Sequence, residues 1–269
     1  MVAGLRARRA TAADYTTFAR LFPELAVPDP LPSREQFATK MLARVLIVED
    51  DGGAVGYGFY QLYGQTTHVV HVVAAREARG RGVGAAIMAA LRERAEVEGC
   101  RRWFLNVKQE NAPAITLYER AGMSRESEGW TLRMPWSALD SLPDAQIAAS
   151  AYTPDSAADQ DLAQRFGLDV ARIEALRQRP NVAVLALKDD VGPKAFAVFD
   201  PTFPGIYPIR VAKPELAKPL MKELMPLAKH DYVNVWVEEN LSLRNLLIDA
   251  GAVLQFSIYR MGAELSGKP

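Results

Sequence analysis

An apolar strand-like run that ends in paired glycines and opens straight into a helix leaves few folds available, and this chain has one such place. Val69 to Ala75 is the run, and Arg79-Gly80-Arg81-Gly82-Val83-Gly84 is the turn. Ala85-Ala86-Ile87-Met88-Ala89-Ala90-Leu91 follows, a string of strong helix formers. A glycine turn at a helix N-terminus leaves backbone N–H groups unpaired and lets them approach a ligand. The helix dipole adds partial positive charge, so the natural guest is a phosphate or pyrophosphate. Arg79 and Arg81 would add to that attraction. No Gly-Lys-Ser/Thr follows, which excludes a P-loop. Gly80-x-Gly82-x-x-Ala85 also fits a dinucleotide fingerprint, but that motif wants an acidic ribose ligand about 20 residues on. Here that position falls within Phe104 to Val107, which holds no acid.

The residues downstream narrow the choice. After the helix comes a strand, Trp103-Phe104-Leu105-Asn106-Val107, then Asn111, then a helix carrying Tyr118 and ending at Gly122-Met123. Arg-x-x-Gly-x-Gly, a helix, a strand, and then Asn…Leu-Tyr-Glu-x-x-Gly-Met resembles the GNAT superfamily of N-acetyltransferases. The resemblance covers the two motifs that hold acetyl-CoA in that family. It implies an α/β (α+β) fold with a mixed, mostly antiparallel central sheet flanked by helices. It also implies acetyl-CoA as cosubstrate, an amine as acceptor, and no metal.

Composition sets outer bounds. The chain has 269 residues, enough for one large domain or two ordinary ones. Lys plus Arg equals Asp plus Glu at 32 each, so nothing marks a basic nucleic-acid binder or an acidic tail. The single cysteine, Cys100, excludes an intrachain disulfide and fits a reducing cytoplasm. Met1-Val2-Ala3-Gly4-Leu5-Arg6-Ala7-Arg8 lacks the apolar centre of a signal peptide, and no run reaches the 18 apolar residues of a membrane span. A cytoplasmic protein without nucleic-acid or membrane partners is expected. The sequence is silent on oligomeric state.

Read from the start, Leu5 to Arg9 alternates like a strand, and Thr11 is a good N-cap for a helix to about Phe22. Glu24 to Pro32, with Pro28, Pro30 and Pro32, reads as a loop, and Ser33 caps a helix from Arg34 to Ala43. Val45 to Glu49 is a strand, and Asp50-Asp51-Gly52-Gly53 is a hairpin signal. Strands Ala54 to Tyr63 and Thr66 to Ala75 follow, giving the superfamily's order β-α-α-β-β-β-α-β-α-β. Pro135 to Pro143 reads as a linker. The pattern then repeats, with a strand near Ala148 to Tyr152, two helices, three strands, a helix from about Glu215 and a strand from Tyr232. Asn111 to Gly122 and Asn240 to Gly251 share one interval, and Arg133-Met134 and Arg260-Met261 close the two copies. Such a repeat points to duplication. We expect two tandem acyl-CoA N-acyltransferase folds: residues 1–137 with the acetyl-CoA motifs, and residues 145–269 as a degenerate copy. In the second, Arg210-Val211-Ala212-Lys213-Pro214-Glu215 replaces the glycine turn, and Leu247 stands where Tyr118 does.

Acetyl transfer from a thioester to an amine needs a stabilised oxyanion, a neutral amine and a proton for the leaving thiolate. The resemblance assigns the first of these to backbone at the strand end, Val72, Val73 and Ala74. It assigns the pyrophosphate to Arg79, Gly80, Arg81, Gly82, Val83, Gly84 and Ala85. Asn111 corresponds to a residue that bonds the cofactor arm, and it also reads as a helix N-cap. Tyr118 matches the tyrosine placed near the sulfur. A phenol of pKa about 10 can protonate a thiolate whose thiol pKa is about 8.5; the plain reading is a core tyrosine. An alkyl amine of pKa about 10.4 must first lose a proton. The Glu that some members carry for this is Asn106 here, which cannot serve. Counting back from Arg79 puts His68 at the position of another family base, and histidine titrates in the right range. His71 should face the other side of the sheet, and water relaying to Glu49 or Asp50 is a third route. Beside the enzyme stands a second reading, a non-catalytic acyl-CoA-binding sensor or scaffold.

Overall fold

The computed structural model describes residues 4–27 and 30–265, so Pro28 of the expected loop and the first three residues of the N-terminal segment lie outside the described residues. The first copy runs β1 (Arg6–Arg9), α1 (Tyr15–Leu21), α2 (Arg34–Gln36), β2 (Val45–Asp50), β3 (Gly53–Tyr63), β4 (Thr66–Ala74), α3 (Val83–Val97), β5 (Arg102–Lys108), α4 (Ala112–Arg120) and β6 (Ser124–Pro135). The second repeats it as β7 (Ser150–Tyr152), α5 (Asp159–Phe166), α6 (Val170–Arg177), β8 (Ala183–Asp189), β9 (Gly192–Asp200), β10 (Gly205–Val211), α7 (Ala217–Leu224), β11 (Tyr232–Glu238), α8 (Leu241–Asp249) and β12 (Val253–Glu264). Element for element, this is the expected order twice over. Among the described residues no helix is long and apolar enough to cross a membrane.

Local details depart from the sequence reading in three places. All four residues of β1 are exposed, so its alternation marks an edge strand and not a buried face. The Arg34 to Ala43 helix is one α-turn capped by Ser33, then a π turn Phe37–Met41 and a 3-10 turn Leu42–Arg44. The loop after α1 starts late, because Phe22–Leu25 forms a 3-10 turn.

Contacts divide the chain into two compact units, but not where the sequence suggested. The first holds the described residues up to Glu126 together with those from Tyr259 on; the second is Ser127–Ile258. The expected boundaries at 137 and 145 are thus corrected. Each copy's closing strand serves the other unit. β6 pairs antiparallel with β11 from Tyr232↔Pro135 to Glu238↔Gly129, and its Trp130, Leu132 and Met134 are buried in the second core. The end of β12 lies beside β5, with Met261 and Leu265 buried in the first core. The expected linker is no linker either. Residues 136–141 form a 3-10 turn, and Trp136, Leu139 and Leu142 are buried in the second core.

In the first unit the strands run β1-β2-β3-β4-β5, antiparallel as far as β4 and parallel between β4 and β5. One face takes α1 and the turns after it, where Phe18 packs on Phe37 at 4.9 Å and on Tyr57 at 5.2 Å. The other face takes α3, whose approach depends on two missing side chains. A Cβ at Gly56 would stand 2.7 Å from Val83, and one at Gly58 2.8 Å from Ile87. The helix can therefore lie directly on β3, which holds its N-terminus at the end of β4.

The second unit runs β6-β11-β10-β9-β8-β7, parallel only between β10 and β11. Its α7 buries Leu220, Met221 and Leu224, and its α8 buries Leu243 and Leu247.

The exchange of closing strands has a measurable consequence. Met261→Ala removes a fully buried side chain from the first core and should cost about 2–5 kcal/mol in urea unfolding. A loss under about 1 kcal/mol would show that the end of β12 is not part of that core.

Candidate active site

The site is made by a strand that breaks step. β4 pairs with β3 through Gln61↔His68 and Tyr60↔Val69, and then resumes at Phe59↔His71. Val70 is therefore the extra residue of a β-bulge, which bends a strand and increases its twist. The parallel ladder from β4 to β5 runs from Thr66↔Arg102 to Val69↔Leu105 and stops there. Past the bulge, Val70–Ala74 and Asn106–Lys108 continue as strands without pairing to each other. Val72, Val73 and Ala74, expected to offer backbone to a ligand, lie on this parted stretch.

The bulge also moves a histidine. Opposed residues of an antiparallel pair share a face, and Gln61 and Phe59 are two apart, so His68 and His71 both lie on the α1 side of the sheet. The expectation that His71 points to the other side is corrected; the extra residue at Val70 shifts the parity. His68 sits in the paired part, its ring stacked on Phe104 at 4.5 Å and 4° and near Tyr63 at 6.3 Å. Arg260 lies over the Phe104 ring at 4.0 Å. His71 sits past the bulge among Phe22, Tyr57 and Phe59, with the Tyr57 hydroxyl 3.2 Å from its Nδ1. Burial pushes the His71 pKa down to about 4 and holds the Tyr57 phenol well above its usual range.

At the end of β4 a 3-10 turn, Arg76–Ala78, leads into the glycine turn. Gly80 at φ 76° and Gly82 at φ 84° are both left-handed, a conformation that side chains resist. Gly82 is the N-cap of α3 and supplies no side-chain acceptor. The N–H groups of Val83, Gly84 and Ala85 therefore have no intrahelical partner. Gly84 matters for packing instead. A Cβ there would meet Leu117 of α4 at 2.8 Å, so its absence lets α3 and α4 close on each other. The two arginines are held by acids from elsewhere. Arg79 bonds Glu24 at 2.6 Å and Arg81 bonds Asp50 at 2.8 Å. Both guanidinium groups stay about half exposed, where such pairs are weak and exchange readily.

Tyr118 is buried on α4, and burial pushes its pKa up to about 12. Asn111 caps the same helix, its side chain accepting from Ala114 N at 3.3 Å, and Asn240 caps α8 on Leu243 N at 2.9 Å. Capping accounts for the repeated asparagine in both copies. Glu49 bonds Arg8 at 2.6 Å on β2, with β3 between it and β4, so the structure does not bring it to the parting. The second unit breaks step in the same way but carries other side chains there. β10 slips between Ile206 and Ile209, and its ladder to β11 comprises Gly205↔Asn234 and Ile206↔Val235. Beyond it, Arg210 of β10 and Glu238 of β11 form a 2.6 Å ion pair, mostly buried, and Tyr207 stacks on Trp236 at 4.2 Å. The turn before α7 is Lys213 followed by a 3-10 turn Pro214–Leu216, and Leu247 is fully buried.

A histidine kept neutral by burial destabilises the fold in acid. The unfolded chain takes up the proton at pH about 6.5 while the folded one resists it, so stability falls as pH drops from there toward 4. His71→Gln should flatten that part of the stability profile. Wild type and variant losing stability in parallel over this range would contradict the assignment.

Residues 12–123 match the model of the acetyltransferase (GNAT) family. The uncharacterized N-acetyltransferase YobR of Bacillus subtilis (strain 168) is 41% identical over 58 residues, covering 22% of this chain and 24% of that protein. The matched part thus spans about a quarter of that curated relative. Among solved structures, a GCN5-related N-acetyltransferase from Sphaerobacter thermophilus superposes with a TM-score of 0.70 at 17% identity, over 98% of this chain and 96% of that one. A tandem GNAT protein from the clavulanic acid biosynthesis pathway gives 0.63 at 17% identity, over 98% and 100%. At these identities the likeness is one of fold, and it extends over both units. Residues 12–123 thus carry the match to the acetyltransferase (GNAT) family, and the chain-long superpositions show the GNAT fold over both units.

Proposed function

We propose that the first unit binds acetyl-CoA and passes its acetyl group directly to a primary amine, and that the second unit binds no acyl-CoA. The observation that carries the reading is the parting of β4 from β5 beside an uncapped helix start. In this reading the acetyl carbonyl and pantetheine lie along Val72, Val73 and Ala74, whose backbone dipoles polarise the carbonyl. The pyrophosphate rests on the N–H groups of Val83, Gly84 and Ala85, with Gly80 and Gly82 allowing close approach. Arg79 and Arg81 exchange Glu24 and Asp50 for phosphate oxygens. Asn111 keeps its amide NH2 for the cofactor arm while its oxygen caps α4.

The chemistry follows from the protons. The amine nitrogen attacks the carbonyl carbon, the C–N bond forms and the C–S bond breaks. One proton leaves the amine for a base, and the thiolate takes another from Tyr118. With its pKa near 12, Tyr118 stays protonated throughout the working range and can still donate to an alkyl thiolate. His68 is the proposed base. Stacking occupies its ring faces, while the nitrogens lie on the ring edge. The second unit lacks each part: an ion pair joins β10 and β11 beyond their ladder, Pro214 replaces the turn, and Leu247 has no proton to give.

Calorimetry tests the binding half. One acetyl-CoA should bind per chain. Gly82→Asp should weaken it by about tenfold or more, while Gly82→Asn, equally tolerant of the left-handed backbone, keeps most of the affinity. Gly84 is a poor test, because any side chain there pushes on Leu117. Two equivalent sites, or equal losses in the two variants, would contradict the reading.

Kinetics tests the chemical half. Tyr118→Phe should lower kcat by about a hundredfold or more with acetyl-CoA affinity nearly unchanged. His68→Ala should remove the acid limb of the pH–rate profile. An unaltered limb would pass the role to water.

A further inference from the structure

Tyr57 and His71 form a pair that the proposed reaction leaves unused. Tyr57 is fully buried on β3, edge-on to Phe18 at 5.2 Å. Its hydroxyl lies 3.2 Å from His71 Nδ1. A buried phenol has one proton to give, and leaving it without an acceptor costs about 1–3 kcal/mol. If Nδ1 carried the imidazole proton, it would donate to the phenol oxygen, and the phenol's own hydrogen would need another acceptor in an apolar core. If Nδ1 is bare, one bond satisfies both groups. The surroundings give no reason for a charged ring. The rings packed on His71 are Phe22 from the turn after α1, and Tyr57 and Phe59 from β3. Of these only Tyr57 titrates, and it is held in its neutral form.

We propose that Tyr57 is a positioning residue that fixes His71 in the neutral Nε2–H tautomer, so that His71 serves the parting of β4 and β5 as a hydrogen-bond donor and not as the base. The placement makes this consequential. His71 is the first residue after the Val70 bulge, next to Val72, where the ladder to β5 has already ended. A neutral N–H at that point can hold an oxygen of the bound acceptor or of the acetyl group without bringing a charge into the cleft. The donor's use in catalysis rests on the acetyl-transfer reading above, but the tautomer does not.

Two measurements separate these layers. Long-range 15N–1H correlation spectra of the full chain, without ligand, should show His71 Nδ1 as a bare nitrogen and Nε2 as a protonated one, unchanged from pH 5 to 8. A protonated Nδ1, or titration within that range, would overturn the inference even in an active enzyme. In Tyr57→Phe the Nδ1 bond is gone, so the spectrum should become a mixture of tautomers. The kcat should fall about tenfold, the worth of one neutral hydrogen bond, while the pH of the acid limb stays put. A variant with the wild-type tautomer would overturn the positioning role, and a shifted acid limb would make His71 the base after all. A chain that transfers no acetyl group would sink the functional reading and leave the tautomer assignment to the spectra.

Discussion

One extra residue in β4 decides where its pairing with β5 ends. A regular β4 would pair with β5 to its end, and its backbone would be satisfied by a neighbouring strand. The bulge at Val70 ends that pairing at Val69↔Leu105. It leaves a short length of strand that is paired to β3 on one edge, while the N–H and C=O groups on its β5-facing edge lie outside any ladder to β5. The glycines of β3 supply the complementary condition. With no Cβ at Gly56 or Gly58, α3 settles on the sheet and brings its positive N-terminus to the same end. In the proposed reading, the parted strand and the bare helix start together receive an extended, doubly anionic ligand with a hydrogen-bonding arm.

The second unit shows the same frame put to a different end. Its β10 slips where β4 bulges, and beyond its short ladder to β11 stand the Arg210–Glu238 pair and the Tyr207–Trp236 stack. A largely buried ion pair of this kind is costly to break by removing one partner, because the other would be left as a poorly solvated charge. Trp130, Leu132 and Met134 of β6 lie in the second core, and Met261 and Leu265 lie in the first.

Much of this was legible in the residues. The order of elements, the glycine turn, the buried tyrosine on α4 and the duplication are local patterns of period, cap and turn. What escaped the sequence reading was non-local. In His68-Val69-Val70-His71 nothing tells which residue is extra, so the face of His71 could not be known from alternation alone. The closing strands have the same pattern whichever unit they join. Arg79 finds Glu24 across 55 positions. The supposed linker did carry a signal: Trp136, Leu139 and Leu142 recur every third residue, the period of the 3-10 turn they form over much of that span. Asn111 illustrates the opposite case, where a motif residue turns out to have a sufficient structural role as a cap.

In the proposed function, the parted stretch of β4 and the start of α3 together receive acetyl-CoA. Backbone hydrogen exchange read by mass spectrometry, with and without saturating acetyl-CoA, tests it most directly. The account predicts slowed exchange at Val72–Ala74 and Val83–Ala85, with Arg210–Ala217 of the second unit unchanged. Protection confined to the second unit, or none at Val72–Ala74 while acetyl-CoA is demonstrably bound, would contradict it.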